Sequence, residues 1–272
     1  MKDGFSTITS RENSKFKLWS KLLTKKYRDR EGLFLLEGGL LIEDALKTGW
    51  KIEELIISSS VEDASRLIPG VTAIEIPEKY ILAEELFRKL SQTENGRDVI
   101  GVLRKPEYKL EALKVDRGAG LSVLVSCGVS DPGNLGTIIR SADGAGYSGV
   151  LILKGSADPF SPKVVRGAAG SILRVPIIEI RDVEELKNAV KSLGLTAVGA
   201  SEKGERTIWE EDLSHGIALF MGNEGNGIPK DAMDILDKQV KIPMEGSMDS
   251  LNVGVAASLI MFESLRQNKG KQ

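Results

Sequence analysis

The 272-residue chain contains one cysteine and one histidine, and these scarcities exclude several kinds of chemistry. One thiol makes no intrachain disulfide. Cys127 falls inside the apolar run from Leu121 to Val129, where it reads as a small buried hydrophobe in a reducing compartment. One imidazole, His215, makes no multi-histidine metal cluster, and thiolate zinc sites are excluded with it, so no metal is expected. His215 stands just before a strand-like run and reads as a loop residue. No apolar stretch approaches membrane-spanning length, and the first residues lack the apolar core of a secretory signal, so the expected location is cytoplasmic.

The formal net charge of −2 conceals a strong asymmetry. Residues 1–30 carry nine Lys and Arg against three acidic residues, which makes this arm +6 and the remainder −8. A basic arm on an acidic body suits a polyanionic partner, with a solvated helix face as the alternative. From Ser14 to Arg30, Phe16, Trp19, Leu22 and Leu23 recur at helical spacing among lysines. That spacing predicts one basic amphipathic helix able to lie along RNA phosphates.

Beyond the arm come a strand at Leu33–Leu36, a helix from Leu40 to Thr48 ended by Gly49, and a strand at Leu55–Ser58, an order that implies a parallel βαβ unit. A strand at Val71–Ile76, a helix around Ala83–Leu90 and a strand at Val99–Leu103 complete a small α/β domain over residues 1–104. Residues 105–119 lack a sustained apolar period and read as a linker. Residues 120–272 form the second domain. Its strands are expected at Leu121–Val125, Val150–Leu153, Val175–Ile180, Thr196–Ala200, Ile217–Phe220 and Val240–Ile242, with helices between, as in a parallel sheet covered on both faces.

Gly144-Ala145-Gly146-Tyr147-Ser148-Gly149 fits the dinucleotide pattern G-x-G-x-x-G in the wrong context. A helix at Leu135–Ala145 precedes it and a strand follows, whereas pyrophosphate binding needs a strand before and a helix after. These glycines instead end a helix and turn the chain. No P-loop is present.

Three stretches carry more weight. In Asp131-Pro132-Gly133-Asn134-Leu135-Gly136-Thr137-Ile138-Ile139-Arg140, Asn134 can cap a helix whose apolar stripe is Leu135, Ile138, Ile139, Ala142 and Ala145. Arg140 is that helix's one long charged side chain, either a surface arginine paired with Asp143 or a functional group. The run Ile217–Met221 leads into Gly222-Asn223-Glu224-Gly225-Asn226-Gly227, whose small residues leave backbone groups open to a ligand. Ile242-Pro243-Met244 leads through a polar loop to Ser250-Leu251-Asn252-Val253, where Ser250 or Asn252 can cap a final helix buried through Val253, Ala256, Ala257, Ile260 and Met261.

In this order the three stretches resemble the motifs of the SpoU (TrmH-like) branch of the SPOUT RNA methyltransferases: Asn-x-Gly-x-x-x-Arg, Gly-x-Glu-Gly-x-Gly, and Ile-Pro-Met followed by Ser-Leu-Asn-Val. Phe34-Leu35-Leu36-Glu37-Gly38 and the helix after it look like the family's small ribosomal-protein-like RNA-binding domain. The sequence departs from the family's usual pattern at Ala168 and Gly254, where Ser is common, and at Asp98, where Gly often stands.

The resemblance implies an α/β fold whose C-terminal domain holds a parallel sheet and a deep trefoil knot, and a homodimer formed through that domain. It implies methyl transfer from S-adenosylmethionine to a ribose 2′-hydroxyl of RNA. Ribosomal RNA is favoured; tRNA, or a catalytically silent RNA-binding protein on the same fold, are the alternatives. By the motifs, Arg140, Asn134, Glu224, Ser250 and Asn252 form the catalytic group, with Glu224 as electrostatic partner of Arg140. Gly222, Asn223, Ile242, Met244, Leu251 and Asn252 line the cofactor, and Lys15, Lys21, Lys25, Arg28 and Arg166 face RNA.

Overall fold

The computed structural model describes residues 4–63, 68, 76–91, 98–114, 121–214, 216–246 and 250–270. His215, most of the strand expected at Val71–Ile76, residues 115–119 of the expected linker and Ser247–Asp249 lie outside them. The chain divides into two compact units, residues 1–106 with 160–173, and residues 107–159 with 174–272.

The N-terminal unit begins with β1 (Ser6–Ile8), α1 (Ser14–Leu22), α2 (Lys25–Glu31), β2 (Leu33–Glu37), α3 (Gly39–Lys47) and β3 (Ile52–Ser58). It continues through β4 (Glu78–Leu82), α4 (Glu84–Leu90) and β5 (Val99–Arg104). The sheet order is β1-β4-β3-β5-β2. β1, β4 and β3 pair in parallel, while β5 runs antiparallel to both β3 and β2. β2 and β3 are thus parallel, as their βα order implies, but β5 lies between them. Asp98, which leads into β5, has φ 52, the left-handed conformation that explains why glycine is favoured there.

Phe16, Trp19 and Leu22 bury one face of α1 against Ile56, Leu82, Leu86 and Ile100. A buried indole needs a partner for its N–H; Trp19 Nε1 donates to Glu54 at 2.5 Å. Lys15 Nζ donates to the other oxygen of Glu54 at 2.7 Å and also to Glu78. The single helix expected over Ser14–Arg30 is in fact two, broken at Leu23–Thr24. Arg28 is buried, and its guanidinium donates to the Leu22 carbonyl at 2.7 Å, satisfying a carbonyl that the end of α1 leaves open. Arg28 therefore fastens the two helices and does not face RNA.

The strands of the C-terminal unit are β6 (Val123–Cys127), β7 (Gly149–Leu153), β8 (Ile177–Ile180), β9 (Thr196–Ala200), β10 (Arg206–Thr207), β11 (Ile217–Gly222) and β12 (Lys238–Lys241). The chain's later helices are α5 (Pro132–Gly144), α6 (Pro162–Gly167), α7 (Val183–Leu193), α8 (Lys230–Met233) and α9 (Val253–Lys269), with α6 belonging to the N-terminal unit. All seven strands are parallel, in the order β10-β12-β9-β11-β6-β7-β8. β6, β7 and β11 are buried along their whole length, as strands covered on both faces must be. The helix α5 does precede Gly144–Gly149 and β7 does follow it, so these glycines make a turn, with Gly146 at φ 73.

The division of the chain departs from the sequence reading in two places. Residues 107–114, expected in the linker, belong to the C-terminal unit, where Leu113 is buried with Val123, Val125 and Leu151. Residues 160–173, expected in the second domain, fall with the N-terminal unit, where Phe160 stacks on Phe34 at 5.1 Å between ring centres.

Candidate active site

The carboxyl ends of neighbouring parallel strands are where an α/β sheet offers its loops to a ligand. Here β11 and β6 are adjacent, and their loops are stitched together. After β11 the chain folds into a tight turn in which Asn223 and Gly227 exchange two backbone hydrogen bonds, both 2.9 Å. Gly227 takes φ 68 to close it. A Cβ on Gly222 would lie 2.2 Å from the Gly227 carbonyl carbon and 2.3 Å from the Ile228 nitrogen, so only glycine fits. Asn223 fastens the turn with its side chain, Oδ1 accepting from the backbone of Gly225 at 2.9 Å and Asn226 at 3.1 Å. Its Nδ2 donates across to the Gly128 carbonyl, just past β6, at 3.0 Å.

The turn presents Glu224 to the first turn of α5. Its carboxylate accepts from Asn134 Nδ2 at 2.9 Å, Ser130 Oγ at 3.1 Å, and the backbone N–H groups of Ser130 and Asp131, each at 3.3 Å. Burial opposes ionisation, but these donors outweigh it and hold the Glu224 carboxyl below its usual range. Since a carboxylate only accepts, Asn134 must turn Nδ2 toward it and Oδ1 away. That Oδ1 accepts from Asn252 Nδ2 at 2.8 Å. Asn252 in turn uses Oδ1 to cap α9, accepting from Gly254 N at 2.9 Å and Val255 N at 3.2 Å. One directional chain of amides thus joins the three motif loops.

The cap of α5 is not Asn134 but Asp131, whose side chain accepts from Asn134 N at 2.9 Å, with Pro132 opening the helix. Because Asp131 caps, the Asn134 side chain is left for Glu224 and Asn252. Ser130 and Asp131 were not among the expected site residues, although Asp-Pro ahead of an apolar helix is a start signal that could have located the cap.

Arg140 lies about 9 Å further along α5 and about 120° round it from Asn134. It is exposed and, among the described residues, makes no hydrogen bond or ion pair. Glu224 is therefore not its partner, being committed to Asn134, Ser130 and Asp131. Asp143, the other acid expected beside Arg140, instead accepts from Arg174 Nε at 2.9 Å.

Ser250 is exposed, Ile242 and Leu251 are half-buried, and Met244 is 38% exposed. By residue type Ile242, Met244 and Leu251 supply apolar surface and the Gly222 turn supplies neutral backbone groups, which suit a nucleoside better than a phosphate. Among the described residues no group of His, Cys, Asp or Glu could hold a metal, and no helix is long and apolar enough to cross a membrane.

Of the residues expected to face RNA, Lys21 and Lys25 are exposed on α1 and α2, Lys15 is tied to Glu54 and Glu78, and Arg166 is half-exposed in α6. Lys21, Lys26 and Arg30 gather around the Tyr27 ring, at 5.4, 6.0 and 4.5 Å from its centre.

Comparison with known proteins agrees with the motifs. A model described as the SpoU rRNA Methylase family matches residues 122–262, and one described as an MRM3-like substrate binding domain matches residues 13–101. The chain is 34% identical over 255 residues to the 23S rRNA (guanosine(2553)-2′-O)-methyltransferase RlmP of Bacillus subtilis (strain 168), across 94% of this chain and 97% of that protein. It is 32% identical over 267 residues to the 23S rRNA (uridine(2479)-2′-O)-methyltransferase of Streptomyces viridochromogenes, across 96% and 92%. The crystal structure of the SpoU methyltransferase AviRb from Streptomyces viridochromogenes in complex with the cofactor AdoMet superposes with a TM-score of 0.84 at 29% identity, covering 95% of this chain and 100% of that one. With a family model over more than half its length and relatives matched almost end to end, the chain belongs to the SpoU rRNA methylase family.

Proposed function

We propose that this protein transfers a methyl group from S-adenosylmethionine to a ribose 2′-hydroxyl of ribosomal RNA. The observation that carries this reading is the amide chain from Glu224 through Asn134 to Asn252, with Arg140 exposed further along the same helix α5 and, among the described residues, without a hydrogen bond or ion pair. When bound, S-adenosylmethionine supplies a methyl group activated by its positive sulfur. The protein's part is alignment, because in-line displacement depends on holding oxygen, carbon and sulfur in one line. Gly222, Asn223, Ile242, Met244 and Leu251 line the cofactor, and Asn252 and Asn134 fix the loops against each other. A guanidinium stays protonated at neutral pH. Arg140 is accordingly assigned to the phosphate next to the acceptor ribose and to the oxygen as it becomes negative, with Ser250 orienting the ribose.

Lys21, Lys25 and Arg166 are assigned to RNA phosphates, supported for the first two by exposure on the basic arm. A homodimer through the C-terminal unit is supported by Val255, Leu259 and Phe262, which lie 46%, 45% and 48% exposed along one face of α9. A trefoil knot is supported by the insertion of β11 between β9 and β6 and the packing of α9 on α5, where Ser141 and Ser258 share a 2.7 Å hydrogen bond. A cytoplasmic location is the reading a ribosomal substrate and a single buried, unpaired-thiol cysteine support.

The deciding experiment offers labelled S-adenosylmethionine with ribosomal RNA and tRNA from a strain lacking the gene, comparing wild type with Arg140→Ala, then digests the RNA to nucleosides. Label in a 2′-O-methyl nucleoside of ribosomal RNA, lost in Arg140→Ala, is the expected result. Label in a methylated base, in tRNA alone or in neither RNA overturns the proposal.

A further inference from the structure

Ser156, in the loop after β7, spends its whole hydrogen-bonding capacity on the end of β6 and the residue beyond it. A hydroxyl has one hydrogen to give and two lone pairs to receive. Ser156 Oγ donates to the Ser126 carbonyl at 3.0 Å, and accepts from Ser126 Oγ at 3.1 Å and from Gly128 N at 2.9 Å. One residue on, Ala157 N donates to the Val129 carbonyl at 2.8 Å. Gly128, at φ 88, has no side chain of its own to restrain it. What is gripped bears on the site. The Gly128 carbonyl accepts from Asn223 Nδ2 at 3.0 Å, and the backbone of Ser130 and Asp131, just beyond, donates to Glu224. Asn223 and Glu224 are thus both tied to a segment that the Ser156 hydroxyl holds.

We propose that Ser156 is a positioning residue for the cofactor: its hydroxyl fixes Gly128 and, through the Gly128 carbonyl, the Asn223 amide and the turn that lines S-adenosylmethionine. The proposal rests on the assignment of that turn to the cofactor. The N–H and C=O of Gly128 lie in adjacent peptide planes joined at one glycine Cα. With the first plane pinned by Ser156 and the Val129 carbonyl pinned by Ala157, the carbonyl aimed at Asn223 has little room to swing. Without the hydroxyl, Gly128 regains its torsional freedom and the turn loses a fixed acceptor across the β6–β11 gap. A purely structural role predicts otherwise. The fold would lose stability, while the Asn223 amide and cofactor affinity, both read well below the unfolding transition, would stay as they are.

The test compares wild type with Ser156→Thr and Ser156→Val, which differ by a hydroxyl against a methyl at equal bulk, and with Ser156→Ala, which removes the hydroxyl and adds nothing. Each is titrated calorimetrically with S-adenosylmethionine and unfolded in urea. Nitrogen-15 NMR of the ligand-free protein follows the side-chain amide of Asn223, assigned by its loss in Asn223→Ala. Ser156→Val and Ser156→Ala should weaken cofactor binding about three- to tenfold, the range one intramolecular hydrogen bond commands, and should move the Asn223 amide signal. Ser156→Thr should bind like wild type and leave that signal in place. Wild-type affinity in Ser156→Ala, an unmoved Asn223 signal, or Ser156→Thr as weak as Ser156→Val overturns the inference. Wild type that fails to take up S-adenosylmethionine would instead remove the assignment beneath it, so the two failures are distinguishable.

Discussion

Asn134 Nδ2 donates to the Glu224 carboxylate at 2.9 Å, a contact between residues 90 apart in the chain. Because the same amide accepts from Asn252 through Oδ1, neither end of Asn134 can be replaced without leaving a partner unmet. Asn134→Asp sets a carboxylate against Glu224 and should lower kcat/KM for methyl transfer by roughly ten- to a hundredfold, the cost of one unmatched polar group in a shared network. Like charges raise each other's affinity for a proton. Activity of this variant should therefore recover in part as the pH is lowered toward 5, whereas that of Asn134→Ala should not, and a pH–rate profile separates them.

Glu224 itself is held below the usual carboxylate range, against burial, by Asn134 and the N–H groups of Ser130 and Asp131. A carboxyl whose pKa is lower folded than unfolded stabilises the loops above the unfolded value, near 4.5, and loses that contribution as pH falls through the folded value. The network should stay assembled at pH 5. Carbon-detected NMR of the Glu224 carboxyl should place its midpoint under the unperturbed value, and in Asn134→Ala the midpoint should rise.

Gly222→Ala should be among the most damaging single-methyl changes in the chain. The added carbon meets backbone on both sides of the turn, at 2.2 and 2.3 Å, and no side-chain rotation relieves it. Forced overpacking of this kind costs about 1–3 kcal/mol, and opening the turn also displaces Glu224. Urea unfolding and calorimetric titration with S-adenosylmethionine should both register the change, cofactor affinity falling at least tenfold.

Arg28 and Lys25 should separate cleanly, although both belong to the basic arm. Arg28→Ala removes the donor to the Leu22 carbonyl in a buried setting and should lower unfolding free energy by about 1–3 kcal/mol. Lys25→Ala, on the exposed surface, should leave stability within about 0.5 kcal/mol and weaken RNA binding in a salt-dependent way. Thermal melts and filter binding at two salt concentrations measure the pair.

Cys127 should be inert. Burial pushes its thiol up to about 12, leaving almost no thiolate at neutral pH. An aromatic disulfide reagent should react with the native protein only at the rate of unfolding, and stoichiometrically in denaturant.

Much of this was legible in the sequence because it depends on periodicity and on short motifs. The parallel strands of the C-terminal unit announce themselves as apolar runs, and Thr196–Ala200 matches its expected bounds. β10, two residues long, and β1, three residues with two of them exposed, carry too little apolar pattern to be seen. The break after Leu22 was hidden because helical spacing continues through it, and only the tertiary bond from Arg28 reveals where the first helix stops. At the site, the motifs picked out Asn134, Glu224 and Asn252, which the fold does bring together. Their hydrogen-bond directions, and the diversion of Asp143 to Arg174, depend on residues far apart in sequence that no local pattern links.

The place of β11 in the sheet sets an order of events. Its neighbour β6 lies some ninety residues earlier in the chain and pairs along its other edge with β7, the strand that follows it. Until Ile217–Gly222 pairs with β6, Asn134 has no Glu224 and the final helix has no fixed start. Pairing across such a loop is slow, because its closure entropy must be met before any contact rewards it. A chain that ends short of Ile217–Gly222 therefore lacks both the strand that joins the two halves of the sheet and Glu224, and one that ends short of Asn252 lacks the cap of α9, so neither holds the full chain of amides.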